Sequence, residues 1–309
     1  MPEASDWSAE GLERLAAELS LGGSTAMAIV HRDQPVFAWG ALAQPTSVAS
    51  VRKSLINVLY GIYVAAGRID LTASLAVMGV DDIGGLTETE RSATVADLLR
   101  ARSGVYHPSV YDTEHGRPKR GAYKPGEAWF YNNWDFNALG TIFERQTGED
   151  LFEGFAKRVA TPLGMQDFSV ADCRYQHGPE SQHPVYKMRL SARDLARIGL
   201  LYLRGGTWRE TRIVSEEWVR DSVRPHSDLG GGRSYGLLWW SAEASAPGDA
   251  LAIDVPIFYA SGFGGQYIIV APAYDLVVIH RAAQVDHGIR HDRMGELLRL
   301  AIAAMPEAA

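Results

Sequence analysis

Four residues, Ser50-Val51-Arg52-Lys53, place a hydroxyl and an ammonium group three positions apart. On a helix, that spacing brings the two side chains onto one face. A serine hydroxyl is a poor nucleophile until a neighbouring base takes its proton. Lysine, ordinarily titrating near about 10.4, fills that role only when burial or nearby cations favour its neutral form. The run after Lys53, from Leu55 to Val64, is apolar almost all round and could provide that burial. A helix N-terminus at Ser50 would also favour negative charge developing there. The same pattern is met when an N-cap serine simply precedes a surface lysine. Only 5 of the 30 basic residues are lysines, so chance placement of this one is less expected.

Two further segments carry compatible chemistry. PGEAWFYNNWDFNALG (125–140) sets Tyr131 and Asn133 two apart, just before a helical pattern. A phenol beside the lysine could relay protons among nucleophile, leaving group and water. The amide of Asn133 could hydrogen-bond both Lys53 and a substrate carbonyl. Aromatic packing in the core is the other use of Trp129, Phe130, Tyr131 and Trp134. Tyr259-Ala260-Ser261-Gly262-Phe263-Gly264-Gly265-Gln266 reads as a strand edge whose glycines admit close backbone approach. An amide from this strand, with the Ser50 N–H, could form a two-donor oxyanion hole; a plain structural turn would look the same.

The elements that must position these groups follow from periodicity. Residues 7–19 read as an amphipathic helix carrying Leu12, Leu15, Ala16 and Leu19. TAMAIVH, RDQP and VFAWG then suggest a β-hairpin, and Gly67 is placed to end the apolar helix after Ser50. TVADLLRA, FNALGTIFERQTG and SARDLARIGLLYLRGG read as helices of a middle region. The long stretch 103–125 reads as a functional or mobile loop. YGLLWW, PIFYAS, QYIIVAP and DLVVIHRA read as strands, and MGELLRLAIAAM as a closing helix. The expected fold is therefore α+β: an antiparallel sheet built from both ends of the chain, flanked by terminal helices. Residues 1–69 and 200–309 would form this sheet lobe, and 70–199 an inserted, mainly helical lobe.

Ser-x-x-Lys, Tyr-x-Asn and a glycine-bearing strand, in this order, resemble the serine β-lactamase and penicillin-binding-protein superfamily. Most similar is its class C branch with the esterase and nylon-oligomer hydrolase relatives. The hairpin before Ser50, ADLLRARSGVYHP and HPVYKMRLSARDLARIGLLYL look like that family's intervening landmarks, so the resemblance covers nearly the whole chain. It implies Ser50 as nucleophile, Lys53 as general base, Tyr131 as proton relay and Asn133 as supporting amide. The N–H groups of Ser50 and Phe263 would form the oxyanion hole, with Gly262 beside the substrate. It also implies that Tyr106, Tyr111, Tyr123, Trp129 and Trp134 line an acyl or leaving-group pocket. One departure narrows the expectation. Where β-lactamases carry Lys-Thr-Gly, this chain has Ala260-Ser261-Gly262. The missing cation would have held a β-lactam carboxylate, so ester or amide hydrolysis of a small molecule ranks above penicillin hydrolysis. Acyl transfer, D-amino-acid peptidase activity and non-catalytic ligand binding are the alternatives.

Composition closes off other classes. With 309 residues, 46% hydrophobic, 22% charged and a net charge of -7, the chain reads as globular and unlike a nucleic-acid binder. Cys173 is the single cysteine, excluding an intrachain disulfide; it reads as an accessible bystander thiol. No basic-apolar leader or membrane-length apolar run occurs, so a cytoplasmic location away from membranes is expected. His287 and His291 are four apart, but no glutamate follows the first as in zinc proteases; no metal or cofactor is expected. The basic cluster Arg117, Lys119, Arg120 and Lys124 reads as solvated loop charge, with anionic substrate recognition as the minority reading. A Gly-x-Ser-x-Gly elbow is absent, which disfavours an α/β-hydrolase triad.

Overall fold

The computed structural model describes residues 6–111, 116–283 and 288–306. Its centre is an eight-stranded antiparallel sheet. The strands are β1 (Ser24–His31), β2 (Gln34–Gly40), β3 (Ser227–Asp228), β4 (Arg233–Tyr235), β5 (Trp240–Ala242), β6 (Ile257–Gly262), β7 (Gln266–Ala271) and β8 (Leu276–Ala282). They run in the order β2-β1-β8-β7-β6-β5-β4-β3. Both ends of the chain thus meet where β1 pairs with β8, Ile29 opposite Val278. The expected hairpin is β1–β2, turning at Arg32 and Asp33, both at positive φ (50° and 63°). That conformation matches the twist of a two-residue hairpin.

Strand periodicity sorts the sheet's side chains into two cores. Met27, Ile29, Tyr267, Ile269 and Val278 face the terminal helices α1 (Ala9–Ser20) and α5 (His291–Ala303), with Leu15, Leu19, Leu297 and Leu298. Ala28, Val30, Ile268, Val270, Val277 and Ile279 face the opposite way, toward the remainder of the chain. Each such fully buried aliphatic side chain stabilises the fold by about 1.5–3 kcal/mol. The Ser8 hydroxyl caps α1 by accepting from Gly11 N–H at 3.0 Å.

Behind the second face lies α2 (Val51–Ala65), whose Leu55, Ile56, Val58, Leu59 and Tyr60 are wholly buried, as an all-apolar helix requires. α3 (Asn133–Thr147) ends at Gly148 in the left-handed conformation, φ 69°. α4 (Ala192–Leu203) lies directly on the sheet. A methyl group at Gly199 would come within 2.4 Å of Val277. Residues 70–199 otherwise contain short helices, loops and a two-stranded ribbon, Arg174–Gly178 with Ser181–Lys187.

Two local expectations are corrected. YGLLWW is not one strand: β4 ends at Tyr235 and β5 begins at Trp240. The apolar stretch between them is buried because it plugs onto α2. Ser54 donates to the Leu238 carbonyl (2.7 Å) and Asn57 to that of Leu237 (2.8 Å). Cys173 is only partly exposed, and burial pushes its thiol up to about 12, so it is an inert thiol rather than an accessible one.

Candidate active site

Ser50 sits at the joint between a short strand, Thr46–Ser47, and α2. The residue before it, Ala49, has φ 47°. For a residue with a Cβ this conformation costs about 1–2 kcal/mol, and it turns the chain sharply into the helix. The Ser50 hydroxyl makes no capping bond to the helix N–H groups. It lies instead 3.0 Å from Lys53 Nζ.

Lys53 is 2% exposed and points into a polar cluster with aromatic walls. Its Nζ contacts Tyr131 OH at 2.6 Å and Asn133 Oδ1 at 3.0 Å. The rings of Tyr131 and Phe136 lie 4.3 and 4.4 Å from the same nitrogen. Burial, and then the Arg52 guanidinium, hold the lysine well below its ordinary value. Arg52 is itself buried, over the Tyr186 ring at 4.3 Å and donating to Asn137 Oδ1 at 3.2 Å. Burial raises the Tyr131 phenol, with Ser50 and Arg52 pulling partly the other way. The result is an amine biased toward its neutral form beside a phenol that keeps its proton. Such a pair can take a proton from Ser50 and return it elsewhere.

Both partners are fixed by α3. Tyr131 stands just before the helix, its ring against Phe136 at 4.8 Å and stacked on Trp240 at 5.5 Å. Asn133 opens the helix and donates through Nδ2 to the Tyr111 carbonyl at 2.9 Å. It therefore ties Lys53 to that loop and is not among the residues lining the cleft.

The cleft above Ser50 has a volume of about 660 Å³. Tyr131, Trp240, Ser261, Gly262, Phe263 and Tyr267 line it, together with residues 288–291. Gly262 passes so close to Ser50 that a Cβ would lie 3.1 Å from the Ser50 amide nitrogen. Phe263 follows in the β6–β7 turn and is 62% exposed.

Ser50, Lys53, Tyr131, Asn133, Gly262 and Phe263 are thus gathered at one place. Tyr106 and Trp134 are not. Trp134 is 0% exposed, and its indole donates to buried Asp82. It follows Asn133 by one residue, so α3 turns it about 100° away, into the core. Tyr106 is 5% exposed against Phe130, and burial raises its phenol to about 12. Tyr111, Tyr123 and Trp129 likewise do not line the cleft. In the basic loop, Arg120 is committed to buried Glu90 at 2.7 Å, which removes it from substrate recognition. His287 lies outside the described residues. His291 uses both ring nitrogens, toward Tyr267 and Asp249. The lining residues Trp240, Tyr267 and His291 were not among the expected site residues. The aromatic pair Trp239-Trp240 was the available signal for one of them.

Comparison with known proteins agrees with this fold. The beta-lactamase family model matches residues 13–301. Among solved structures, the fold resembles a putative 6-aminohexanoate-dimer hydrolase from Bacillus anthracis. That pair shares 19% identity and a TM-score of 0.68 over 92% of this chain and 79% of that one. A beta-lactamase from Mycobacterium bovis is 21% identical, with a TM-score of 0.65 over 93% and 97% of the two chains. The hydrolase EstCE1, described as having promiscuous acyltransferase activity, is 14% identical, TM-score 0.70, over 95% and 98%. Nearly the whole chain, α2 and the sheet alike, falls within one family match: the chain belongs to the beta-lactamase family.

Proposed function

We propose that this protein is a serine hydrolase that forms an acyl-enzyme on Ser50 and cleaves an ester or amide of a small molecule. The observation that carries this reading is the buried Lys53 amine, 3.0 Å from Ser50 Oγ and 2.6 Å from Tyr131 OH. Neutral Lys53 accepts the Ser50 proton as Oγ attacks the substrate carbonyl. The carbonyl oxygen becomes an oxyanion, for which the amides of Ser50 and Phe263 are the donors. Collapse breaks the bond to the leaving group, which takes its proton through Tyr131. Tyr131 is reprotonated by the lysinium. Water then enters, Lys53 and Tyr131 take its proton, and a second tetrahedral collapse releases acid and free Ser50.

The sequence Ala260-Ser261-Gly262 argues against β-lactams as substrates, because no lysine stands there to meet their carboxylate. Acyl transfer is the second reading, favoured by the likeness to EstCE1. It differs only in whether water or an acceptor alcohol or amine meets the acyl-enzyme. Intact-mass analysis with p-nitrophenyl esters, anilides and a cephalosporin, each with and without an added alcohol, tests both. Transient adducts on Ser50 from esters or anilides support hydrolysis, and an acylated alcohol as the main product supports transfer. Adducts from the cephalosporin alone would overturn the proposed substrate class.

A further inference from the structure

Arg281 stands two residues after Ile279 on β8, so it points to the same face of the sheet, toward α2. It is 2% exposed. Its Nε donates to Gln266 Oε1 at 2.7 Å and its Nη1 to the Leu190 carbonyl at 2.6 Å. Nη2 faces the Thr46 carbonyl at 3.0 Å, the Thr46 hydroxyl at 2.5 Å and the Ser47 carbonyl at 2.9 Å. All of these acceptors are neutral. Arginine keeps its charge in proteins, and taking a cation out of water without an anionic partner is costly. The reaction above gives this residue no part.

The guanidinium joins the two supports of the oxyanion hole. On one side, Thr46 and Ser47 pair with Leu190 and Arg189, and the chain runs on through Val48 and Ala49 to Ser50. Ala49 is the sharp turn at φ 47°, so the direction of the Ser50 N–H depends on how that short strand is held. On the other side, Gln266 opens β7 and stands opposite Gly262 across the turn that carries Phe263. Gln266 is 0% exposed, and its Nε2 donates to the Ala282 carbonyl at 2.9 Å. Its Cβ lies 3.1 Å from where a Gly262 Cβ would stand, beside the close approach of β6 to Ser50. Arginine's planar fork holds acceptors in several directions at once; lysine, a compact donor on a flexible stem, cannot span them.

We propose that Arg281 is a positioning residue: by clamping Thr46–Ser47 to Gln266 it sets the spacing between the two oxyanion-hole donors, the amides of Ser50 and Phe263. The proposal rests on the hydrolase reading and deepens it. An oxyanion forms in acylation and again in deacylation, and only then do both amides meet negative charge. Misplacing them slows both steps alike and leaves binding of the uncharged substrate unchanged. In a two-step reaction KM follows the ratio of the two rates, so kcat falls while KM stays. A residue that only held the fold together would lower the melting temperature without this split.

Kinetics on p-nitrophenyl butyrate, thermal melting and inhibition by phenylboronic acid test this. The boronic acid forms a tetrahedral, negatively charged adduct on a serine and so stands in for the oxyanion. Arg281→Lys should lower kcat about 10²-fold, with KM within about twofold of wild type. The inhibition constant should rise by the same factor as kcat/KM falls. Gln266→Met frees the β7 side and Thr46→Val removes one acceptor, each leaving Arg281 in place. Both should lower kcat by about tenfold at unchanged KM, and Thr46→Ser, which returns the hydroxyl, should restore it. These two variants decide the matter if Arg281→Lys does not fold. Wild-type kcat in folded Gln266→Met and Thr46→Val would overturn the proposal. So would a raised KM at unchanged kcat, or a loss of kcat with unchanged affinity for the boronic acid. Fluorophosphonate labelling of wild type separates the failures. An unlabelled Ser50 overturns the hydrolase reading and the clamp with it, whereas a labelled Ser50 with wild-type kinetics in the variants overturns the clamp alone.

Discussion

Replacing Gly262 with alanine would put a methyl carbon 2.6 Å from the Val48 carbonyl oxygen and 3.1 Å from the Ser50 nitrogen. Both are backbone atoms, so no side chain can rotate out of the way. Restoring an ordinary contact of roughly 3.3 Å means separating β6 from the segment before α2 by about half an ångström or more. β6 is bonded on both sides, by β5 and β7, and cannot drift without disturbing the sheet. Overpacking of this kind costs about 1–3 kcal/mol, or roughly 2–5 °C in melting temperature for a chain of this size. The movement also separates the Ser50 amide from the strand that carries Phe263, and misplacement on this scale costs about 10²-fold in rate. The assay is kcat/KM on p-nitrophenyl butyrate, with circular dichroism and thermal melting on the same preparation. The expected result is a folded protein with slightly lowered Tm and kcat/KM reduced about 10²-fold. Wild-type kcat/KM and Tm in Gly262→Ala would refute the idea that this strand and the Ser50 amide act as one close-packed unit.

Other outcomes follow from the same geometry. Tyr131→Phe should keep the fold and lower kcat by about two orders of magnitude or more, the scale of a lost acid–base group, measured by steady-state kinetics. The acid limb of the kcat/KM–pH profile should lie well below the ordinary lysine range, because burial and Arg52 depress Lys53. Arg52→Met removes the cation and should move that limb to higher pH. Stability should respond to the same group. Folded Lys53 releases its proton at lower pH than unfolded lysine, so the unfolded state binds more protons between those values. Stability therefore rises with pH across that window. Urea denaturation over the window should give a flatter slope for Lys53→Met than for wild type.

Much of this site could be read along the chain because its logic is local. Ser50 and Lys53 needed only a helix to face each other, and the unbroken apolar run after them told both that a helix follows and that it is buried. Short continuous apolar runs placed β1, β6, β7 and β8, since each buries one face against the terminal helices and the other against α2 and α4. What stayed hidden depends on distant partners. Trp134 and Tyr106 are aromatic neighbours of the site in sequence, yet helix rotation and loop packing send them into the core. The Leu237–Trp239 stretch is apolar like a strand but serves α2 with its carbonyls. The Asp249–His291–Tyr267 chain joins three separate segments, and no spacing rule connects them.

If Ser50 is the nucleophile, covalent capture should mark it and no other residue. Incubation with a fluorophosphonate, followed by intact-mass and peptide analysis, should give one adduct per chain, located on Ser50. The adduct should be absent in Ser50→Ala, together with p-nitrophenyl ester turnover. An adduct on another residue, or wild-type turnover by Ser50→Ala, would mean that Ser50 is not the nucleophile.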